Sequence, residues 1–333
     1  MLRIVVVGVG AMGCLFAARL SPFADVTMLG HWPRQLNALQ SGLTLIERDG
    51  VRETIMVRAT AEARTIKSAE IALVLVKSYQ TGRAAEEIRD FLAQDGVAIT
   101  LQNGVGNDDM LASRLGPERV LLGSTTEGAT IVDLATVRHG GKGKTILPQA
   151  SGRRLELIHN FAQLLKRAGF GIELAPDVQA VVWEKLVVNA AINPLTALLD
   201  VPNGYLVSNE RANSVARDAA REAAMVALAL GVAFAPGQAA SRAMEVARLT
   251  KDNHSSMLQD VRKGRPTELE AITGAIRRHG QAAGIATPVN DALYDLLKMK
   301  VSGKDWMAGV DSLSIDLQAM FRTLVWERKH ANM

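Results

Sequence analysis

The chain has 333 residues, of which 48% are hydrophobic, and this length favours two domains, each with a core of its own. Only 4% of the residues are aromatic and the net charge of +4 is spread along the chain, which argues against a nucleic-acid partner and is compatible with a small anionic one. The absence of an apolar run long enough to span a membrane, of a signal peptide and of metal-ligand spacing predicts a cytoplasmic protein with no membrane contact and no metal site.

The chain opens with a strand-like run, residues 2–7, that leads directly into a glycine-rich turn and a helix-like run. The spacing of the turn is G-x-G-x-x-G, which binds dinucleotides when it joins a first strand to a helix N-terminus. Its glycines let the turn close, leave room for a pyrophosphate and allow the helix to pack on the strand, while free N–H groups face the phosphates. We therefore predict that the cofactor is bound by Gly8, Val9, Gly10, Ala11, Met12 and Gly13. The alternative is a tight turn whose glycines are incidental.

The end of the second predicted strand, residues 26–29, indicates which dinucleotide binds. Sites that prefer NAD usually place Asp or Glu there, to hold the ribose 2′-hydroxyl. Here His31 and Arg34 follow the strand, and the nearest acid, Asp25, precedes it. The missing carboxylate and the two basic residues favour NADP(H), whose 2′-phosphate either His31 or Arg34 can contact. The alternative for Arg34 is a solvated residue at a helix start.

Short apolar strands alternate with helical segments through the first half of the chain, which predicts an α/β fold with a mainly parallel sheet. Tight spacing around Asp49 and Gly50 adds an antiparallel hairpin. The predicted strands are 43–46, 54–57, 71–76, 97–101, 120–122 and 171–174, and the predicted helices are 82–92 and 155–167.

Composition changes near Pro176, where strand patterns end and alanine-rich helical periodicity begins. The predicted helices are 178–199, 209–230, 237–249, 268–283 and 288–300. We therefore predict a Rossmann-type, NADP(H)-binding domain over residues 1–176 and an all-helical domain that binds substrate and carries the catalytic group over residues 177–333.

The first of these helices carries a polar stripe. Lys185, Asn189 and Asn193 recur every four residues in an otherwise almost apolar run. On a helix, four residues turn about 40° and rise about 6 Å, so the three side chains share one face. A lysine and two amides on an apolar helix suit an anionic, oxygen-rich ligand. The alternative is a lysine that reaches solvent and two amides that satisfy backbone groups.

Polar groups also follow two predicted strands. Lys77 comes after strand 71–76 and Asn103 comes after strand 97–101, at the carboxyl ends where open α/β sheets bind ligands. The alternatives are a surface lysine and an ordinary Asn-Gly turn. Further on, Thr267 and Glu270 read as a capping box that opens a helix, with Glu268 in its first turn. The alternative for Glu268 is a residue that only complements the helix dipole.

These motifs, taken together and in order, resemble those of the ketopantoate reductases, or 2-dehydropantoate 2-reductases, over nearly the full chain. They are the glycine turn, Val-Lys-x-x-Gln at Lys77, Gln-Asn-Gly at Asn103, Glu-Lys-x-x-x-Asn-x-x-x-Asn at Lys185, Pro-Asn-Gly at Asn203, and Ser-Ser-Met-x-Gln-Asp with Thr-Glu at Ser256 and Glu268. The resemblance implies NADPH-dependent reduction of a 2-oxo acid to its 2-hydroxy acid, which in this family is ketopantoate to pantoate, a step toward pantothenate and coenzyme A.

The resemblance also implies roles for individual residues. Lys185 would donate the proton, and Glu268 would orient it or the cofactor ribose. Cofactor contacts would come from Lys77, Asn103, Ala129 and Glu268, and substrate contacts from Asn103, Lys185, Asn189, Asn193, Asn203 and Ser256. The chain departs from the family at Glu270, where an aspartate is frequent. A homodimer is compatible with the apolar helices. The alternatives are a reductase of another 2-oxo acid and a dinucleotide-sensing protein without turnover.

Overall fold

The structure is a computed structural model of the chain, and it describes residues 1–149, 154–232 and 236–330. The chain divides into two compact units, Met1–Val178 and Gln179–Met333. This division lies close to the change in composition at Pro176. In the described ranges, no helix is long and apolar enough to cross a membrane.

The first unit combines three sheets with helices. Its helices are α1 (Ala11–Leu20), α2 (Pro33–Leu39), α3 (Thr81–Ile88), α4 (Asn107–Leu115) and α5 (Arg154–Arg167). Its strands are β1 (Arg3–Val7), β2 (Asp25–Leu29), β3 (Leu43–Ile46), β4 (Arg52–Ile55), β5 (Arg58–Thr60), β6 (Ala69–Val74), β7 (Leu92–Thr100), β8 (Val120–Leu122), β9 (Ser124–Thr125), β10 (Gly128–Asp133), β11 (Thr136–Gly141), β12 (Lys144–Pro148) and β13 (Gly171–Ala175).

A six-stranded sheet forms the centre of this unit, in the order β5-β2-β1-β6-β7-β8. All of its strand pairs are parallel, so the carboxyl ends of β2, β1, β6 and β7 meet at one edge. The order β10-β11-β3-β4 describes a second sheet, which contains the predicted hairpin between β3 and β4, and a third follows the order β13-β12-β9. The predicted α/β class, with a mainly parallel sheet and an antiparallel addition, is confirmed.

Strand β1 is buried on both faces because its side chains alternate between two cores. Ile4 and Val6 pack in a cluster with residues of α1 and α5, whereas Val5 and Val7 pack with residues of α3 and α4. Cys14, in α1, is fully buried in the first cluster, and Gln35 Nε2 donates a hydrogen bond to its Sγ at 3.3 Å. Burial raises the pKa of the Cys14 thiol to about 12.

Several predicted boundaries in the first unit were wrong, and some strands were missed. The helix predicted to reach residue 92 ends at Ile88, because β7 begins at Leu92. Strand β4 begins and ends two residues before the predicted 54–57. Strand β6 ends at Val74, before residue 76, and β7 begins at Leu92, before the predicted start at residue 97. Strands β5, β9, β10, β11 and β12 were not predicted, since they show no clear apolar alternation. Pairing specifies them instead: β10 pairs with β11, β11 with β3, and β12 with β9 and β13.

The described residues of the second unit form helices joined by turns and loops, with no strand among them, as predicted. Its helices are α6 (Val178–Leu199), α7 (Tyr205–Ser208), α8 (Glu210–Ala229), α9 (Pro236–Leu249), α10 (Ser256–Arg262), α11 (Thr273–Ala283), α12 (Pro288–Val301), α13 (Trp306–Val310) and α14 (Ile315–His330). Alanines line the buried side of α8, so neighbouring helices can approach closely. The predicted helix 178–199 is confirmed at both ends.

The capping box predicted at Thr267 and Glu270 was wrong. Helix α11 begins at Thr273, and residues 267–272 form turns. Thr267 Oγ1 instead accepts a hydrogen bond from Leu269 N–H at 3.4 Å. The Glu270 carboxylate is engaged by the hydroxyl of Tyr294 in α12 and not by a backbone N–H of its own segment. Glu268 therefore lies in a turn and not in the first turn of a helix.

Candidate active site

The glycine turn between β1 and α1 has the geometry that its sequence predicts. Gly8 has a φ of +129°, a conformation that favours glycine, and a Cβ on Gly13 would lie 1.9 Å from the Gly8 carbonyl oxygen. A Cβ on Gly10 would meet nothing within 4 Å. No side chain caps α1, so the N–H groups of its first turn have no acceptor within the helix. Open space at Gly10 beside these donors fits a dinucleotide pyrophosphate.

The end of β2 carries both basic residues that were predicted to contact a 2′-phosphate, and α3 brings two more charged groups there. Arg83 Nη2 donates a hydrogen bond to His31 Nδ1 at 2.8 Å, and Glu87 Oε1 lies 2.7 Å from His31 Nε2. Arg83 also pairs with Glu87 at 2.9 Å. Arg34, in α2, is exposed. The sequence reasoning missed Arg83 and Glu87, because they lie far from His31 along the chain.

Lys77 and Asn103 follow β6 and β7, so the structure brings both to the carboxyl edge of the parallel sheet, with the glycine turn. A one-turn helix, Ser78–Gln80, begins directly after Lys77, and the Lys77 N–H donates to Gln80 Oε1 at 3.3 Å. This contact holds the turn through which the chain leaves β6.

A buried hydrogen-bond network, which sequence reasoning missed, joins these two strand ends. Gln102 Nε2 donates to Val76 O at 3.0 Å and to Thr81 Oγ1 at 2.8 Å. The Thr81 hydroxyl donates to Asn107 Oδ1 at 3.0 Å, and Asn107 Nδ2 donates to Asn103 O at 3.0 Å. Gln102, Thr81 and Asn107 are all buried. The network therefore holds the segments that follow β6 and β7 in one arrangement.

Ala129 lies in a different sheet from the other residues predicted to bind cofactor. It belongs to β10 of the four-stranded sheet and is paired with His139, next to a register shift at Gly128. His139 Nε2 lies 2.8 Å from Glu127 Oε2, and both residues are buried. Glu127 Oε1 is buried with no hydrogen-bond partner among the described residues.

The polar stripe of α6 is present in the second unit. Asn193 is buried, whereas Lys185 and Asn189 are partly buried. Burial lowers the pKa of the Lys185 ammonium to about 8, and the nearby Glu268 carboxylate opposes this shift. Glu268 is only 5% exposed. The structure thus brings Lys185 close enough to Glu268 for their charges to interact, although the two residues are far apart in sequence and Glu268 lies in a turn.

A hydrogen bond joins α6 to the start of α10. Thr196, one turn after Asn193 in α6, donates a hydrogen bond to Ser255 Oγ at 2.8 Å, and Ser255 caps α10. Ser256, the next residue, is exposed. Sequence reasoning missed Thr196 and Ser255 as the link between the two helices, since it considered their neighbours only.

Asn203 is buried beside the segment that leads to α10. Its N–H donates to Asn253 O at 2.9 Å, and its Nδ2 donates to Thr250 Oγ1 at 2.9 Å. Its side-chain oxygen is buried with no hydrogen-bond partner in the described parts of the chain. This oxygen is an acceptor for a hydroxyl or amine of a ligand.

Comparison with known proteins shows a likeness that covers about nine-tenths of the chain. The model of "Ketopantoate reductase PanE/ApbA" matches residues 4–152, and that of its C-terminal part matches residues 177–301. The 2-dehydropantoate 2-reductase of Archaeoglobus fulgidus is 37% identical over 302 residues, which cover 90% of this chain and 98% of that protein. The corresponding figures for the Halobacterium salinarum enzyme are 34%, 90% and 98%.

A solved structure shows the same fold. The 2-dehydropantoate 2-reductase of Geobacter metallireducens is 30% identical, covers 90% of this chain and 99% of its own, and superposes with a TM-score of 0.83. The glycine turn, the Lys185 stripe and the buried Glu268 lie within the two matched stretches. The chain belongs to the ketopantoate reductase family.

Proposed function

We propose that this protein is an NADPH-dependent oxidoreductase that reduces 2-dehydropantoate to pantoate. The observation that carries the proposal is the partly buried Lys185, whose pKa is lowered to about 8 beside Glu268, on a helix that also presents two amides. The similarity to enzymes of that name over nine-tenths of the chain supports the same substrate. Location in the cytoplasm and assembly as a homodimer are parts of the proposal.

The cofactor residues are those of the first unit. The N–H groups at the start of α1 would hold the pyrophosphate, with room provided at Gly10. Arg34 or His31 would contact the 2′-phosphate, and Lys77, Asn103 and Ala129 would contact the remainder. When bound, the nicotinamide supplies the hydride.

Lys185 is the proposed acid of the reaction. When a hydride reaches the C2 carbonyl carbon of a 2-oxo acid, negative charge develops on the carbonyl oxygen. The Lys185 ammonium stabilises that charge and donates its proton to the oxygen, which gives the 2-hydroxy acid and a neutral amine. Solvent then returns the proton to Nζ. A pKa near 8 suits both steps, because the ammonium form still predominates at neutral pH and loses its proton readily.

The remaining polar residues of the second unit would hold the substrate. Amide groups of Asn189 and Asn193 can donate to the carboxylate or accept from a hydroxyl, and the unpaired oxygen of Asn203 can accept from a hydroxyl. The Ser256 hydroxyl offers a further donor at the start of α10. Glu268 would keep the Lys185 ammonium oriented through its charge.

The test is the oxidation of NADPH by the purified protein with ketopantoate, with pyruvate and 2-oxoisovalerate measured in parallel. We expect kcat/KM for ketopantoate to exceed the other values clearly. A preference for another 2-oxo acid would support the proposed chemistry but contradict ketopantoate as the substrate. NADPH binding without turnover of any acid would favour the sensing protein and contradict the proposal.

A further inference from the structure

The first unit contains an open surface cavity of about 430 Å³ whose lining includes none of the residues assigned above to cofactor or substrate. It lies at the four-stranded sheet, around the hairpin that joins β3 to β4. Three of its lining residues are arginines, and one is a carboxylate. The cavity is lined by Ile46, Glu47, Arg48, Gly50, Arg52, Arg138, His139 and Gly140.

Two of these arginines lie on the strands that flank β3, each in register with the same residue of β3. Ile46 of β3 pairs with Arg52 of β4 on one side and with Arg138 of β11 on the other. Side chains that are paired directly across strands lie on the same face of a sheet. Ile46 therefore lies between two guanidinium groups, with strands about 4.8 Å apart. Arg48 adds a third guanidinium from the turn that follows β3.

The positive charge of this cavity is not neutralised within the described residues. Arg48, Arg52 and Arg138 are exposed, and none of them makes an ion pair there, whereas Arg3 and Arg58 of the same unit each pair with a carboxylate. The carboxylate of the lining, Glu47, is already engaged by Arg19 at 2.7 Å and by His139 at 3.2 Å. Burial alone would raise the pKa of the Glu47 carboxyl, but its contacts with Arg19 and His139 hold that pKa below its usual value.

We propose that this cavity is a second anion site, which binds a small molecule carrying at least two phosphate groups. One guanidinium group can bind two phosphate oxygens at once. Three guanidinium groups around the apolar Ile46 therefore suit a diphosphate better than a ligand with a single charge. The volume is within the range of small-ligand sites. The site is separate from the glycine turn, so it does not depend on the proposed reductase activity.

The test is calorimetric titration with inorganic pyrophosphate at low ionic strength, with saturating NADPH present to occupy the cofactor site. We expect one saturable pyrophosphate site in the wild-type protein. The double variant Arg52→Gln/Arg138→Gln should weaken it about tenfold or more, because charge-assisted hydrogen bonds are lost. Arg248→Gln, which changes an exposed arginine of α9, should bind as the wild type does.

Absence of saturable binding to the wild type, or equal binding by the double variant, would overturn the proposal. Circular dichroism of the double variant checks that it is folded, which is expected because both side chains are exposed. If NADPH itself fails to bind, the same titration is done without it and compared between the double variant and Arg248→Gln. Failure of the reductase assay and failure of this site are therefore separate outcomes.

Discussion

Lys185 lies in an environment that differs from that of a solvated lysine in two opposing ways. Burial destabilises its ammonium form, and the Glu268 carboxylate partly restores it. Because the two effects oppose each other, the pKa falls to about 8 and not further. The residue thereby remains a cation at neutral pH while becoming a better acid than a solvated lysine.

The pH dependence of kcat follows from this balance. In the proposed mechanism the ammonium is the active form, so we expect kcat for ketopantoate reduction to be high below a pH of about 8 and to fall above it. Glu268→Gln removes the charge that raises the Lys185 pKa, so the fall should move about one pH unit lower. A profile that falls only near the pKa of solvated lysine, or that does not move in Glu268→Gln, would contradict the role of Lys185.

Replacement of Lys185 by methionine should separate activity from stability. We expect Lys185→Met to lower kcat about 100-fold or more, while the Kd for NADPH remains nearly unchanged. The folded-state pKa is below the unfolded value, so the ammonium destabilises the fold below a pH of about 8, and this penalty is absent above the unfolded pKa. At neutral pH, Lys185→Met should therefore raise the free energy of unfolding by about 1–3 kcal/mol.

Denaturant unfolding measures that gain, and Lys263→Met, at an exposed position just after α10, serves as its control. A proportional loss of kcat and NADPH affinity in Lys185→Met would contradict the acid role. An unchanged free energy of unfolding would contradict the burial penalty.

Cofactor choice is a second property of single residues. Arg34→Ala should reduce kcat/KM with NADPH more than with NADH, because the lost cation is one of the two residues proposed to contact the 2′-phosphate. Arg83→Ala should do the same to a smaller degree, since Arg83 is already bonded to His31 and Glu87. The measurement is the ratio of the two cofactors' kcat/KM in each variant. An unchanged ratio in Arg34→Ala would leave His31 as the residue that contacts the phosphate.

At the scale of elements, the hydrogen-bond network of Gln102 joins the ends of β6 and β7. Its members are buried, so the loss of one leaves others unpaired in a dry environment. Two strand ends that each carry a proposed cofactor residue are thus held together by a third side chain. The arrangement explains how Lys77 and Asn103, on separate segments, are presented together.

Gln102→Leu should lower the free energy of unfolding by about 1–3 kcal/mol, since Val76 O and the Thr81 hydroxyl oxygen both lose the donor of a hydrogen bond. It should also weaken NADPH binding, because the segments after β6 and β7 are no longer held. Gln163→Leu, on the exposed side of α5, is the matched control. Unfolding and NADPH titrations of both variants test this. NADPH affinity equal to that of the wild type in Gln102→Leu would confine the network to a structural role.

Elements with strong local signals were predictable, and elements specified by distant pairing were not. The apolar run of α6 and the spacing of residues 8–13 specify their structures locally, and both were predicted correctly. The start of α11 was predicted too early, because Thr267 and Glu270 match a capping motif, whereas Thr267 bonds within its own turn and Glu270 bonds to Tyr294. The pairing of Arg83 with His31 joins segments that no local pattern relates.

At the scale of the whole molecule, the residues assigned to cofactor and those assigned to substrate divide largely along the two units. The glycine turn, His31, Lys77 and Asn103 belong to Met1–Val178. The polar stripe of α6 and Glu268 belong to Gln179–Met333. NADPH binding should therefore stabilise the protein through contacts with the first unit. A variant of the first unit can remove that stabilisation without changing the residues assigned to substrate.

Gly10→Val tests this at the level of global stability. The position has open space and an extended backbone, so we expect the variant to fold with nearly the wild-type melting temperature. The added side chain fills the place proposed for the pyrophosphate, so NADPH should no longer raise that temperature. For the wild type, NADPH at 100 times its Kd should raise the free energy of unfolding by about 2.7 kcal/mol. Equal NADPH-induced shifts in thermal unfolding of the two proteins would contradict the assignment.

The burial of Cys14 gives the molecule a kinetic reporter of its own. The thiol is the only one in the chain, lies in the helix that starts at the glycine turn, and is kept protonated by a pKa of about 12. A disulfide reagent in solution can modify it only when that helix opens locally, because the thiolate is the reactive form and must reach solvent. The rate of labelling thus measures how often the start of α1 opens, without any introduced probe, and a bound dinucleotide should slow it.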